Sequence, residues 1–346
     1  MIIDVHGHIT HPELLKRYPM PATLGDIEGM LDRKSEAGID LTIVGSPVGF
    51  GTMSKRGHDN YAQPLDELKA FHEWLAETVE KHSPRLAAYA YTNPFGGDDV
   101  LELAAANIRS GAFVGLIVNT SVKGEYLDSK GADQFFDLAA ELDVPIFLHP
   151  PAEPVGSESI EDFRLVEQVA RFCDVTVSLA TLVFGGRLER YPTLQFIAAT
   201  AGGAIGLLPG RLDQAYQPRH WAAGKPDGGP SGPPGGPPPG AGPPGGPPRF
   251  ENKISQPPST FLEQVYVDTA NSSVPNHLAN LELMGPERML FGTDSPPLAT
   301  PLEAAIQTVD QLPISGEDKQ KILRGNAERL FKLRERHPSL LAAARE

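Results

Sequence analysis

Four side chains stand where apolar runs stop, and together they offer the donors of a metal site. Ile2-Ile3-Asp4-Val5 runs into His6-Gly7-His8, and Pro145-Ile146-Phe147-Leu148 ends at His149. Far downstream, Arg288-Met289-Leu290-Phe291-Gly292-Thr293 ends at Asp294. Short apolar runs that stop at a polar residue predict buried strands of a parallel sheet, with the polar side chain at the carboxyl end. In a closed α/β barrel all such ends lie on one face, and that face carries the chemistry. Imidazole and carboxylate converging there make a nitrogen- and oxygen-lined site for a divalent ion.

The elements that must position these groups alternate along the whole chain. Strands are expected at 2–5, 41–44, 86–91, 112–118, 146–148, 194–199, 265–267 and 289–291. Helical spacing follows each one. Thr23 is read as the cap of a helix running through Ile27, Met30 and Leu31 to a stop at Gly38. A longer helix passes through Leu65, Leu68, Phe71, Leu75 and Val79. Two helical stretches, 163–172 and 175–184, precede the sixth strand, and another helix starts near Ala204. Eight strand–helix units predict an α/β fold, a (β/α)8 TIM barrel over residues 1–346. Residues 224–248 interrupt it. They are almost wholly Gly and Pro and hold 11 of the chain's 34 prolines, a composition that cannot build a packed element. The stretch is read as a flexible insertion within the barrel.

Bulk composition narrows the function classes. The chain is 40% hydrophobic and 21% charged, which permits a large core. Its 44 acidic and 30 basic residues leave a net charge of −14, so nucleic acid and anionic membrane surfaces are excluded as general partners. An anionic small substrate is compatible, because a metal and a few Arg or Lys reverse the sign locally. With Cys173 as the one cysteine, neither an internal disulfide nor a cysteine zinc site is possible. Asp4 and His6 interrupt any leader-like core, and no apolar run approaches a membrane span, so a cytoplasmic protein is expected.

Several motifs in barrel order resemble the amidohydrolase superfamily. They are His6-Gly7-His8, Leu148-His149-Pro150 and Phe291-Gly292-Thr293-Asp294-Ser295-Pro296. Within the superfamily the chain is similar to the branch of aminocarboxymuconate-semialdehyde decarboxylase, resorcylate-type decarboxylases and oxalomesaconate hydratase. Phe184-Gly185-Gly186, Leu188-Glu189-Arg190-Tyr191-Pro192, Gly202-Gly203-Ala204, Gly210-Arg211, Tyr266-Val267-Asp268-Thr269-Ala270 and Gly325-Asn326-Ala327-Glu328-Arg329-Leu330 fit that branch too. The resemblance covers nearly the whole chain outside the Gly/Pro stretch. It implies one divalent metal ion, usually zinc and in some members manganese or iron, held by His6, His8, His149 and Asp294. The residues agree with that assignment. His6 and His8, two apart on a strand, leave the same face, and Asp294 has lone pairs for both an ion and a proton. A homodimer is also implied.

One position departs from the family pattern. Where the sixth strand of the family ends in a histidine, Phe196-Ile197-Ala198-Ala199 here ends in Thr200. A threonine hydroxyl orients a ligand but exchanges no proton near neutral pH. His58, in the loop after the second strand beside Lys55 and Arg56, is the candidate acid/base in its place. Arg56 is a candidate anchor for a substrate carboxylate, and Asn119, after the fourth strand, is a candidate substrate contact. His72, His82 and His337 are read as surface residues, while His277 and His220 receive no role.

The resemblance implies a metal-dependent lyase, a decarboxylase or hydratase acting on a carboxylated aromatic or unsaturated small molecule. Amide hydrolysis, or a cyclisation that loses water, is the second reading, since it leans less on a sixth-strand base. A metal-binding scaffold without turnover is the third.

Overall fold

The computed structural model describes residues 1–17, 20–46, 61, 63–216, 252–271, 273–299 and 301–345. Eight parallel strands follow one another in chain order around a barrel. They are β1 (Ile3–Gly7), β2 (Leu41–Val44), β3 (Leu86–Tyr91) and β4 (Gly115–Asn119), then β5 (Ile146–His149), β6 (Phe196–Ala198), β7 (Val265–Asp268) and β8 (Met289–Leu290). The first and last strands lie side by side. Val5 N–H donates to Phe291 O at 2.9 Å, and Asp294 N–H donates to His6 O at 2.8 Å. Helices α1 (Ile27–Glu36), α2 (Leu65–His82), α3 (Asp98–Arg109), α4 (Asp133–Leu142), α5 (Arg171–Phe184), α6 (Pro209–Tyr216), α7 (Val274–Met284) and α8 (Leu302–Asp310) alternate with them. Among the described residues no helix is long and apolar enough to cross a membrane.

Side-chain alternation along the strands builds two cores. Ile43, Tyr89, Ile117, Phe147, Ile197, Tyr266 and Leu290 belong to one buried cluster, which fills the barrel. Their neighbours Val44, Ala88, Leu116, Val118, Leu148, Val265 and Met289 belong to the other, which packs under the helices. That division is the period-two signature of a barrel whose interior is a packed core and not a pore. Phe331, Leu333 and Leu340, near the chain's end, join the interior cluster. Phe331 lies 5.9 Å, centroid to centroid, from Tyr89.

Local chemistry moves some boundaries. Asp26, not Thr23, caps α1: its carboxylate accepts from Gly29 N–H at 3.1 Å, and residues 22–25 form a separate 3-10 turn. The two stretches expected over 163–184 form one continuous helix, with a π turn at Val166–Ala170 inside the first of them. The helix expected near Ala204 is a 3-10 turn at Ile205–Leu207 before α6 starts at Pro209. His72 and His82 are buried, contrary to the surface reading, because they share the inward face of α2 with Leu68, Phe71 and Leu75. His72 Nε2 accepts from Tyr91 N–H at 3.1 Å, and burial lowers its pKa to about 4. His337 is half-buried. The Gly/Pro stretch at 224–248 lies outside the described residues.

Candidate metal centre

The first ligand pair depends on a departure from regular strand geometry. Ile3 and Val5 both belong to the interior core, so strict alternation would turn His6 outward, toward the helices. Between Asp4 and Gly7 the pairing with β2 shifts register, so that β1 carries one extra residue. Such a bulge re-aims the side chains beyond it. His6 consequently points into the barrel, edge-on to Phe147 with centroids 4.9 Å apart. Gly292 makes room on the other side: a Cβ there would come within 3.0 Å of Asp268 Cβ and 3.1 Å of His6 Cβ. Asp294 adopts left-handed backbone (φ 52°), a conformation that Asp tolerates better than most residues.

One donor atom from each of His6, His8, His149 and Asp294 lies within 4.8 Å of all the others. The nitrogens that face the cluster follow from what the opposite nitrogens do. His6 Nδ1–H donates to Asp268 Oδ2 at 2.6 Å, His8 Nδ1–H to Gly45 O at 2.8 Å, and His149 Nδ1–H to Pro150 O at 2.9 Å. Carboxylates and carbonyls only accept, so each Nδ1 carries the hydrogen and each Nε2 presents a lone pair. His6 Nε2 and His8 Nε2 face each other at 3.2 Å, with Asp294 Oδ1 3.4 Å from the first and 3.0 Å from the second. Lone pairs and a carboxylate so close repel unless a cation lies among them. The donor set fits a divalent ion that accepts nitrogen and oxygen ligands, such as zinc or manganese.

The electrostatics agree. Burial pulls the His6 imidazole down, but Asp294 and Asp268 outweigh it and hold the group above its ordinary pKa. Burial, with His8 and Arg171 nearby, keeps His149 well below the usual value and hence neutral. Asp294 is pushed up by burial and pulled down further by His6, His8 and Arg171, so it stays ionised.

Supporting residues that sequence reasoning missed surround the cluster. Asp268 is fully buried; besides His6 it accepts from Ala201 N–H at 2.8 Å and Ala270 N–H at 3.1 Å. Beneath β1, Lys34 pairs with Asp4, and Lys34 Nζ donates to Thr293 Oγ1 at 2.8 Å. Asp4 Oδ1 accepts from His6 N–H and Thr293 N–H, each at 3.0 Å, so this buried pair fixes two of the three chain segments that carry ligands. The Tyr-Val-Asp-Thr-Ala motif was the available signal for Asp268. Nothing local marked Lys34. His277, given no role, is fully buried and donates through Nε2 to Asn271 O at 2.6 Å.

Above the cluster opens a cavity of about 450 Å3, lined by His8, His149, Asp294, Thr200, Arg171 and Asn271 among others. Thr200 sits at its wall with left-handed backbone (φ 51°), unusual for a β-branched residue, and its hydroxyl donates to Ala199 O at 2.8 Å. Asn119 is in register with His149 on the neighbouring strand and is buried, yet it does not line this cavity; both its amide atoms lack a partner. His58 and Arg56 lie outside the described residues, as does His220.

Comparison with known proteins agrees with this architecture. A 2-amino-3-carboxymuconate-6-semialdehyde decarboxylase from Dictyostelium discoideum is 21% identical over 292 residues, 84% of this chain and 72% of the relative. The crystal structure of a 5-carboxyvanillate decarboxylase from Sphingomonas paucimobilis superposes with a TM-score of 0.73 at 17% identity, over 96% of this chain and 98% of that one. A Polaromonas dihydroxybenzoic acid decarboxylase, solved with bound manganese and the inhibitor 2-nitroresorcinol, gives 0.68 at 22% identity, over 96% and 97%. These two structures share the fold. The amidohydrolase family model matches residues 3–333. From strand order to ligand set, then, this chain belongs to the amidohydrolase family, in the branch of the aminocarboxymuconate-semialdehyde decarboxylase-like proteins.

Proposed function

We propose that the protein is a metal-dependent decarboxylase of a carboxylated, hydroxylated aromatic acid. The observation that carries this reading is the convergence of three imidazole lone pairs and one carboxylate beneath a cavity of about 450 Å3, in a chain whose relatives are named as decarboxylases. His6, His8, His149 and Asp294 are the residues that would hold the ion. When bound, zinc or manganese supplies Lewis acidity, polarising substrate oxygens and stabilising negative charge. Asp268 and the carbonyls of Gly45 and Pro150 keep the three imidazoles in the ligating tautomer.

In decarboxylation the bond between ring and carboxylate breaks, carbon dioxide leaves, and the ring carbon takes a proton in exchange. An acid must therefore face the ring. In this reading Asp294 moves a proton through its spare lone pairs and His58 is the acid. In this reading Arg56, Asn119 and Thr200 contact the substrate; the place of Thr200 at the cavity wall supports the last. A homodimer completes the proposal. Leu165, Val169 and Val177, spaced four or eight residues apart on one helix, are 51%, 51% and 41% exposed and offer an apolar face for a second copy.

Thr200 also favours a second reading. A cavity wall without a proton-exchanging side chain at that position suits amide hydrolysis or water-eliminating cyclisation, in which Asp294 alone shuttles the proton. Mass spectrometry of hydroxylated and aminated aromatic acids, incubated with the metal-loaded protein, separates the two. Loss of carbon dioxide supports decarboxylation; gain or loss of water at constant carbon count overturns it in favour of the second.

A further inference from the structure

We infer that Arg171, at the start of α5, is the residue by which the cavity selects an anionic substrate over a neutral one; the inference rests on the small aromatic acid reading above. Arg171 is the one Lys or Arg among the described residues that line the cavity, where Glu167 and Asp294 are both acidic. With Asp294 holding the ion, an organic anion entering that space still meets Glu167, and a fixed cation in the wall offsets that carboxylate.

The guanidinium is also held in place. Its Nη donates to Pro150 O at 3.4 Å, the same carbonyl that accepts from His149 Nδ1–H at 2.9 Å. One backbone oxygen therefore ties the cation to a member of the ligand cluster, so the two are positioned together. Glu167, Asp294 and Asp174 act electrostatically on the guanidinium against the effect of burial. A planar, permanently charged fork set in a partly desolvated wall suits a carboxylate gripped through two parallel N–H bonds. Arg171 thus discriminates by charge and shape, while the cluster below binds whichever oxygens reach it.

The test compares 2,6-dihydroxybenzoate with 2,6-dihydroxybenzamide, which has nearly the same shape but no charge. Dissociation constants are measured by rapid mixing, before turnover, on the manganese-loaded full chain. The wild type should prefer the acid by about 10- to 100-fold, the worth of hydrogen bonds to a charged group. Arg171→Met should abolish that preference while leaving the amide's affinity within about threefold and the metal content unchanged. Arg171→Lys, which keeps charge but not the fork, should restore part of it, and decides the matter if the methionine variant does not fold. Retention of the preference in both variants overturns the inference, as does its loss in Arg56→Met but not in Arg171→Met. Binding without any turnover in the wild type defeats the decarboxylase reading and leaves Arg171 assigned. Failure of the wild type to prefer the acid defeats the Arg171 inference itself.

Discussion

Replacing Asp268 by asparagine separates the orientation of a ligand from the stability of the fold. Asp268 uses Oδ1 for the amides of Ala201 and Ala270, at 2.8 and 3.1 Å, and Oδ2 for His6 Nδ1–H at 2.6 Å. Asparagine can keep its carbonyl on the two amides, which turns its NH2 toward His6. Two donors then face each other unless His6 moves its hydrogen to Nε2. That nitrogen is the one 3.2 Å from His8 Nε2 and 3.4 Å from Asp294 Oδ1, so the move removes a ligating lone pair. Changes of this kind behind a metal ligand cost about 10- to 100-fold in affinity, roughly 1.4–2.7 kcal/mol. Asp268→Ala additionally strands two buried amides, at about 1–3 kcal/mol for each one left unpaired. Chelator competition with zinc and with manganese reads the first quantity, and denaturant unfolding of the metal-free protein reads the second. Asp268→Asn should lose metal and keep its fold, while Asp268→Ala loses both. Wild-type affinity in the asparagine variant, or equal destabilisation in the two, refutes the argument.

Other perturbations are expected to act as follows. Lys34→Met leaves Asp4 as an uncompensated buried charge and should destabilise the chain by about 3–5 kcal/mol in denaturant unfolding; a loss below about 1 kcal/mol would show that Asp4 is satisfied without it. His72 is neutral in the fold down to about pH 4 but protonates near 6.5 when unfolded. The unfolded chain therefore binds the extra proton between those values. Stability should be fully present above pH 6.5 and fall with acidification by up to about 1.4 kcal/mol per pH unit from this residue; His72→Gln should flatten that slope. A metal at about one hundred times its dissociation constant should add roughly 2.7 kcal/mol of stability, seen as a melting shift that a chelator reverses. Phe147→Ala, which removes a ring from the barrel interior beside His6, should cost about 3–5 kcal/mol by the same unfolding measurement.

The barrel was legible because each strand is a short apolar run followed by helical spacing. The ligands were legible because three of those runs end in His or Asp. The bulge was not. Ile3 and Val5 alternate regularly, and one extra residue in β1 leaves no mark on composition; only the pairing with β2 reveals it. Asp268 stood in a quoted motif, but its importance comes from His6, 262 residues away in the chain. Arg171 lies within the helical stretch expected at 163–172, and only the fold brings Pro150 O, just past β5, within reach of its guanidinium. The burial of His72 and His82 was readable and was missed. Positions 68, 71, 72, 75, 78 and 82 of α2 repeat at three- and four-residue intervals, which is the spacing of an inward face.

The junction of the first and last strands carries a temporal consequence. His6 leaves the ribosome long before Asp294, yet the two meet only once Val5 and His6 are hydrogen-bonded to the segment that carries Phe291 and Asp294. Until that segment is made, a nascent chain can hold a loose imidazole pair but never the complete cage. Capture of the ion is therefore a late event in biogenesis, coupled to the final stitch of the sheet. Any product cut short before Asp294 lacks both the seam and the cage.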